Sequence, residues 1–120
     1  MIKHLTYLLG AFIIYKEGEY MAKVFYKATK WKVKRENILK RDEYMCRECK
    51  RYGKTTGATT VHHVIPLEQR PEFKLNNNNL ISLCSKCHDK MHNRTNNELT
   101  STGIKWVERI NKLNLSIPPP

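Results

Sequence analysis

The hydrophobic pattern divides the chain into short elements. Leu5–Tyr15 (LTYLLGAFIIY) is an apolar run of 11 residues behind Lys3. From Ala28 to Arg41, Trp31, Ile38 and Leu39 form an apolar stripe amid Lys and Arg, which predicts a helix with one wet face. Thr59–Ile65 (TTVHHVI) is rich in β-branched residues and ends at Pro66, a strand signature. Leu67–Asn78 is polar, holds Pro71 and runs into the four asparagines Asn76–Asn79, so it is predicted as a loop. Leu80–Leu83 suits a return strand, and Ser85–Asn93 is predicted helical. Arg94–Gly103 reads as turn-like. Trp106, Val107, Ile110 and Leu113 have helical spacing within a closing helix at Ile104–Leu115, and Pro118–Pro120 keeps the end extended. The sum is an α+β fold with a thin core, in a chain of 120 residues that suits one domain.

The first 20 residues stand apart, and the domain is expected to span 21–120. A membrane-spanning helix needs about 20 apolar residues, and a run of 11 suits a signal-peptide core instead. Little positive charge precedes that run, however, and no clear small-x-small cleavage site follows it. The globular pattern begins at Met21 (MAKVFYKATKWK). Residues 1–20 are therefore expected to be an extension from a start codon placed upstream, or a peripheral element packing on the domain. A membrane-associated protein anchored by Leu5–Tyr15 is a weaker alternative, and no stable membrane partner is expected.

Charge narrows the function. The net charge is +11, with 22 Lys and Arg against 11 Asp and Glu, which points to a polyanionic partner. Residues 1–20 are neutral, whereas residues 21–54 carry 12 basic and 4 acidic side chains, a net of +8. There Tyr26 and Trp31 interleave with Lys27, Lys30, Lys32, Lys34 and Arg35, the candidate residues for binding such a partner, either nucleic acid or an anionic membrane surface. Each phosphate they neutralise releases counterions, so binding is expected to weaken steeply with salt.

The four cysteines form two Cys-x-x-Cys pairs, Cys46–Cys49 and Cys84–Cys87, with 34 residues between them. Such pairs suit a tetrahedral structural Zn²⁺, with bonds of about 2.3 Å. A disulfide within either pair would close a tiny loop and add little stability, and one redox pair would not explain the second. Zinc would then contribute directly to the folding free energy. Of the five histidines, His62, His63, His88 and His92 gather in or beside this segment. His88 and His92, at i and i+4, would share one face of the predicted helix. That helix is expected to start at the second cysteine pair.

VHHVIPL at 61–67, NNLISLC at 78–84 and CSKCHDKMH at 84–92 resemble the HNH endonucleases, whose active site is a ββα-metal unit. WKVKRENILKRDEYMCREC at 31–49 resembles the phage-type members stapled by two cysteine pairs. The resemblance covers about residues 21–95 and implies the following roles. His62 and His88 bind a divalent catalytic ion, and His92 matches an extra helical histidine of colicin-type nucleases. His63 is the general base, neutral at pH 7 with a pKa of about 6.5. Asn79, nine residues before His88, holds the loop that orients the base. His62 and His63 are neighbours on a strand, where side chains alternate, so bringing both to one site needs a local bulge or twist. His62 stands where Asp is commoner. A set of imidazoles favours Zn²⁺, Ni²⁺, Co²⁺ or Mn²⁺ over Mg²⁺, and the catalytic ion is open among these.

The implied activity is one-metal hydrolysis of double-stranded DNA by a phage-encoded enzyme in the host cytoplasm, beside the packaging (terminase) machinery. The alternative is a non-catalytic zinc-stabilised DNA-binding module. That reading explains the charge and the cysteines, but not the His-His pair with His88 and His92.

Overall fold

The computed structural model describes residues 20–113. Leu5–Tyr15, most of the 1–20 extension and Pro118–Pro120 lie outside them. The described residues fall into two units, one up to Val33 and one from Lys34 onward.

In the first unit, residues 20–27 are helical (α1), an element the apolar pattern does not predict. The helix breaks at Ala28, whose N–H donates to the Phe25 carbonyl at 3.0 Å. That bond moves the start of α2 (Thr29–Arg41) one residue past the predicted Ala28. Trp31 is buried, its ring centre 5.2 Å from Phe25 and 5.5 Å from Tyr26.

In the second unit, the C-terminal part of α2 buries Ile38 and Leu39. Arg41, in its last turn, donates to the carbonyls of Asn77 (2.8 Å) and Leu80 (2.7 Å) and pairs with the Asp42 carboxylate at 2.9 Å. Asp42 in turn accepts the Ser82 N–H at 3.0 Å. Glu43 and Tyr44 close α2 with φ of 56° and 58°, in the left-handed region that non-glycine residues rarely adopt. A short helix, α3 (Arg47–Arg51), follows and also escapes the apolar pattern.

The sheet is β1 (Thr60–His63) antiparallel to β2 (Leu80–Leu83), with His62 opposite Ile81 and His63 opposite Leu80. The strand predicted over Thr59–Ile65 is shorter because Asn79 captures its end. The Val64 N–H donates to the Asn79 carbonyl at 2.9 Å, and the Ile65 N–H to the Asn79 side chain at 2.7 Å. The loop between the strands holds two 3₁₀ turns, Pro71–Phe73 and Asn77–Asn79.

The helix predicted over Ser85–Asn93 is a correction: α4 spans only Ser85–Asp89. Its end tightens through i→i+3 bonds from the Lys90 and Met91 N–H groups to Cys87 and His88. The chain then turns back, with His92 bridged to Leu99 and the Asn93 N–H on the Glu98 carbonyl at 2.7 Å. The closing helix, α5 (Ser101–Leu113), starts before the predicted Ile104. Thr100 caps it, its Oγ1 accepting the Gly103 N–H at 3.2 Å. Val64, Ile81, Leu83, Met91, Trp106 and Ile110 pack with Cys46, Cys84 and Cys87 into one core. In sequence and space β1, β2 and α4 form a ββα unit, with helices flanking it. Among the described residues, no helix is long and apolar enough to cross a membrane.

Candidate active site and metal centre

The cysteine cluster is built from two helix starts. Cys46 caps α3 and accepts the Cys49 N–H on its sulfur at 3.4 Å. Cys84, at the end of β2, is the N-cap residue of α4, and Cys87 lies one turn in. The Cys49 sulfur is 3.6 Å from that of Cys87 and 3.9 Å from that of Cys84, and all four sulfurs lie within 4.8 Å of one another without a disulfide. Four thiolates on one tetrahedral ion with bonds of about 2.3 Å stand roughly 3.8 Å apart, so the cluster has the dimensions of a metal site. A hydrogen bond with the Thr56 side chain brings the Cys49 thiol down to about 7 against the opposing effect of burial. Burial raises the Cys46 and Cys87 thiols. Thiols crowded and desolvated in this way give up their protons most readily to a cation placed among them.

Three of the histidines, His62, His88 and His92, converge where β1 meets α4 and the segment after it. His62, buried on β1, has its ring centre 5.3 Å from His88 on α4 and 5.4 Å from His92. His88 and His92 stand wider apart, at 6.5 Å. Their meeting does not come from a shared helix face, since α4 ends before His92. The bridge to Leu99 places His92 instead. Among the described residues the cysteines alone form a group whose ligating atoms all lie within 4.8 Å of one another.

His62 Nε2 is buried and has no hydrogen-bond partner. Burial, and then the nearby His88 and His92, hold His62 well below the ordinary histidine range, and burial lowers His88 as well. A buried neutral imidazole with an unsatisfied ring nitrogen, facing two more imidazoles, fits a ligand set for a divalent ion. Two imidazoles on one tetrahedral ion put their ring centres roughly 5 Å apart, which matches both spacings from His62.

His63 is buried beside it, and its Nε2 lies 3.0 Å from the Lys74 carbonyl oxygen in the β1–β2 loop. Because the carbonyl can only accept, Nε2 carries the proton. Burial lowers the His63 pKa, partly offset by the Lys74 hydrogen bond and the Glu68 charge, so the ordinary value expected from sequence is shifted down. Asn79, wholly buried, clasps the same loop. Its Oδ1 accepts the Ile65 N–H, and its Nδ2 donates to the carbonyls of Ile65 (3.1 Å) and Phe73 (3.4 Å). Sequence reasoning missed Lys74, which acts through its backbone and so leaves no trace in residue type.

The candidate DNA-binding side chains behave in two ways. Lys27, Lys30 and Lys32 are exposed. In the second unit, Lys34 Nζ donates to Asn77 Oδ1 at 2.6 Å, and Arg35 donates to the Thr59 carbonyl at 2.9 Å. These bonds therefore fasten the C-terminal part of α2 to the β1–β2 loop and to Thr59, just before β1.

The HNH endonuclease family model matches residues 46–94, which contain both cysteine pairs and all four site histidines. Among solved structures, the chain is similar to the HNH endonuclease of the deep-sea thermophilic bacteriophage GVE2, crystallised with a manganese ion. The two share 34% identity at a TM-score of 0.60, over 62% of this chain and 80% of that one. No curated protein matches the sequence.

Proposed function

The chain belongs to the HNH endonuclease family, and from that premise we propose that it is a divalent-metal-dependent endonuclease that hydrolyses the backbone of double-stranded DNA in a host cytoplasm. The observation that carries this reading is the orphaned, buried His62 Nε2 facing His88 and His92, next in sequence to a histidine whose tautomer is set. His62 and His88 would hold one divalent ion, with His92 as the third ligand. When bound, that ion supplies Lewis-acid stabilisation of the charge that develops on the phosphate.

His63 is the general base. Its Nε2–H donates to the Lys74 carbonyl, which leaves Nδ1 as the lone pair that takes the proton of the attacking water. Its lowered pKa keeps that lone pair available at pH 7. Asn79 positions the base by fixing the loop that carries the Lys74 carbonyl. Attack on phosphorus leaves 5′-phosphate and 3′-hydroxyl ends. The exposed lysines of residues 23–54 neutralise DNA phosphates, and Zn²⁺ at the four cysteines holds the fold.

The test is incubation of supercoiled plasmid with Mn²⁺, Mg²⁺, Ni²⁺, Co²⁺ or Zn²⁺, with and without EDTA. Nicking that needs the added ion and stops with EDTA is the expected result. Binding without nicking under every metal would instead favour the non-catalytic DNA-binding module.

A further inference from the structure

A second polar site lies in the same unit, beside the Arg41 side chain that holds the Leu80 carbonyl. A cavity of about 70 Å³ is lined by Arg41, Arg47, Arg109, Trp106 and the asparagines Asn77 and Asn78. The guanidinium carbons of Arg109 and Arg47 lie 4.7 Å and 5.4 Å from the Trp106 ring centre, so two cations hold one indole. Trp106 is 4% exposed, and its Nε1 is buried without a hydrogen-bond partner, as is Nη1 of Arg109. Two buried donors without acceptors are costly to leave unmade. Asp42, which pairs with Arg41 and lies close enough to Arg47 to act on its charge, is already held by Arg41 and by the Ser82 N–H. The cavity thus offers donors and positive charge, and it calls for an acceptor that carries negative charge.

We propose that this cavity binds a phosphate group and that its occupant is a backbone phosphate of the bound DNA, distinct from the one hydrolysed at the histidines. Its volume suits one tetrahedral oxyanion, and guanidinium groups match phosphate geometry. Leu80 ties the two sites together. Arg41 holds its carbonyl, and across the sheet Leu80 pairs with His63. On the nuclease reading, a DNA strand engaged at the histidines has further backbone phosphates on either side to offer this end of β2. The phosphate chemistry stands independently, whereas the choice of DNA as occupant rests on the nuclease reading.

The test follows the Trp106 indole N–H signal by NMR in the zinc-loaded full chain, assigned with Trp106→Phe. Inorganic phosphate is expected to shift it saturably, chloride at equal ionic strength is not, and Arg109→Gln should weaken the response at least tenfold. A short duplex should shift the same signal, and Arg109→Gln should lower the salt slope of duplex binding by about one, the loss of one phosphate contact. If Arg109→Gln does not fold, Arg47→Gln serves in its place. No response to either phosphate or duplex overturns the site. A response to phosphate alone, with the duplex slope unchanged, overturns DNA as the occupant. Because the readout is binding, a chain that responds here yet fails to nick plasmid removes the nuclease reading and leaves the phosphate site standing.

Discussion

His63 Nε2 and the Lys74 carbonyl oxygen lie 3.0 Å apart, across the loop that joins the two strands of the sheet. The contact commits the proton to Nε2, and in the proposed reaction His63 is the base. His63→Ala should lower plasmid nicking by about 10²–10⁴-fold, the usual worth of a positioned general base, while DNA binding changes little. Gel-based nicking and binding assays on the same preparation check this, and wild-type cleavage by the variant would remove His63 from the reaction.

Asn79 ties Ile65 at both ends of its amide from a wholly buried position. Asn79→Ala leaves the Ile65 N–H and carbonyl without their partner, each at a cost of about 1–3 kcal/mol. Thermal unfolding should show the loss. Nicking at a temperature where the variant is fully folded should still fall, because the loop that supplies the Lys74 carbonyl is slack. Activity equal to wild type under those conditions would confine Asn79 to stability.

The cysteine cluster is far more legible in the sequence than the local geometry around the histidines. Cys46, Cys49, Cys84 and Cys87 stood out because a tetrahedral metal demands close pairs, and the structure gathers their sulfurs. The spacing predicts that His88 and His92 share one helix face, whereas the structure sets each beside His62 and leaves their own ring centres 6.5 Å apart. An i,i+4 spacing speaks for a shared helix face only while the helix lasts, and α4 ends at Asp89. The contacts that end it, His92 with Leu99 and Asn93 with Glu98, belong to the turn-like segment that follows, which folds back before the helix can reach Asn93. The shortened β1 has a related cause. Asn79 competes for the Ile65 N–H from 14 residues away, beyond the reach of any local propensity. Helical spacing puts Trp106 in the closing helix, but it does not show that its N–H is buried without a partner or that two arginines lie over its ring.

Cys87 packs against Met91, Trp106 and Ile110 in the core as well as facing the other sulfurs. Cys87→Ser should therefore abolish folding rather than tune it, since structural zinc in small domains supplies roughly 10–16 kcal/mol of apparent binding free energy. Far-UV circular dichroism and zinc content per chain report the outcome together. A folded, zinc-free variant would end the structural role proposed for the metal.

Asp42 sets an acid limit on stability. Burial alone would push its carboxyl up, but the hydrogen bond and charge of Arg41 and the Ser82 N–H outweigh it and hold the group below the ordinary carboxylate range. A folded-state pKa depressed in this way stabilises the protein above the unfolded value, and the contribution is lost as pH falls through the folded one. Asp42→Asn should lower Tm at pH 7 and flatten the decline in Tm below about pH 4, near the ordinary value of an aspartate carboxyl. Equal Tm-against-pH curves for variant and wild type would exclude the ion pair as the source of acid sensitivity.

Gly103, in the first turn of α5, gives a prediction opposite to propensity. In an open helix, replacing Gly with Ala gains about 1 kcal/mol. Here a Cβ would stand 2.6 Å from the Met91 carbonyl oxygen and 2.9 Å from Leu99 Cδ2. The first neighbour is backbone, in the tight segment just after α4, and it cannot swing aside like the end of a flexible side chain. Leu99 is also the residue that bridges His92. Gly103→Ala should therefore lower Tm, and by pushing on the Met91–Leu99 turn it should weaken metal-dependent nicking more than a remote surface substitution does. A thermal scan beside a Mn²⁺ titration of nicking checks both effects. A rise in Tm would mean that the turn yields, and with it the tight packing of α5 against the histidine-bearing segment.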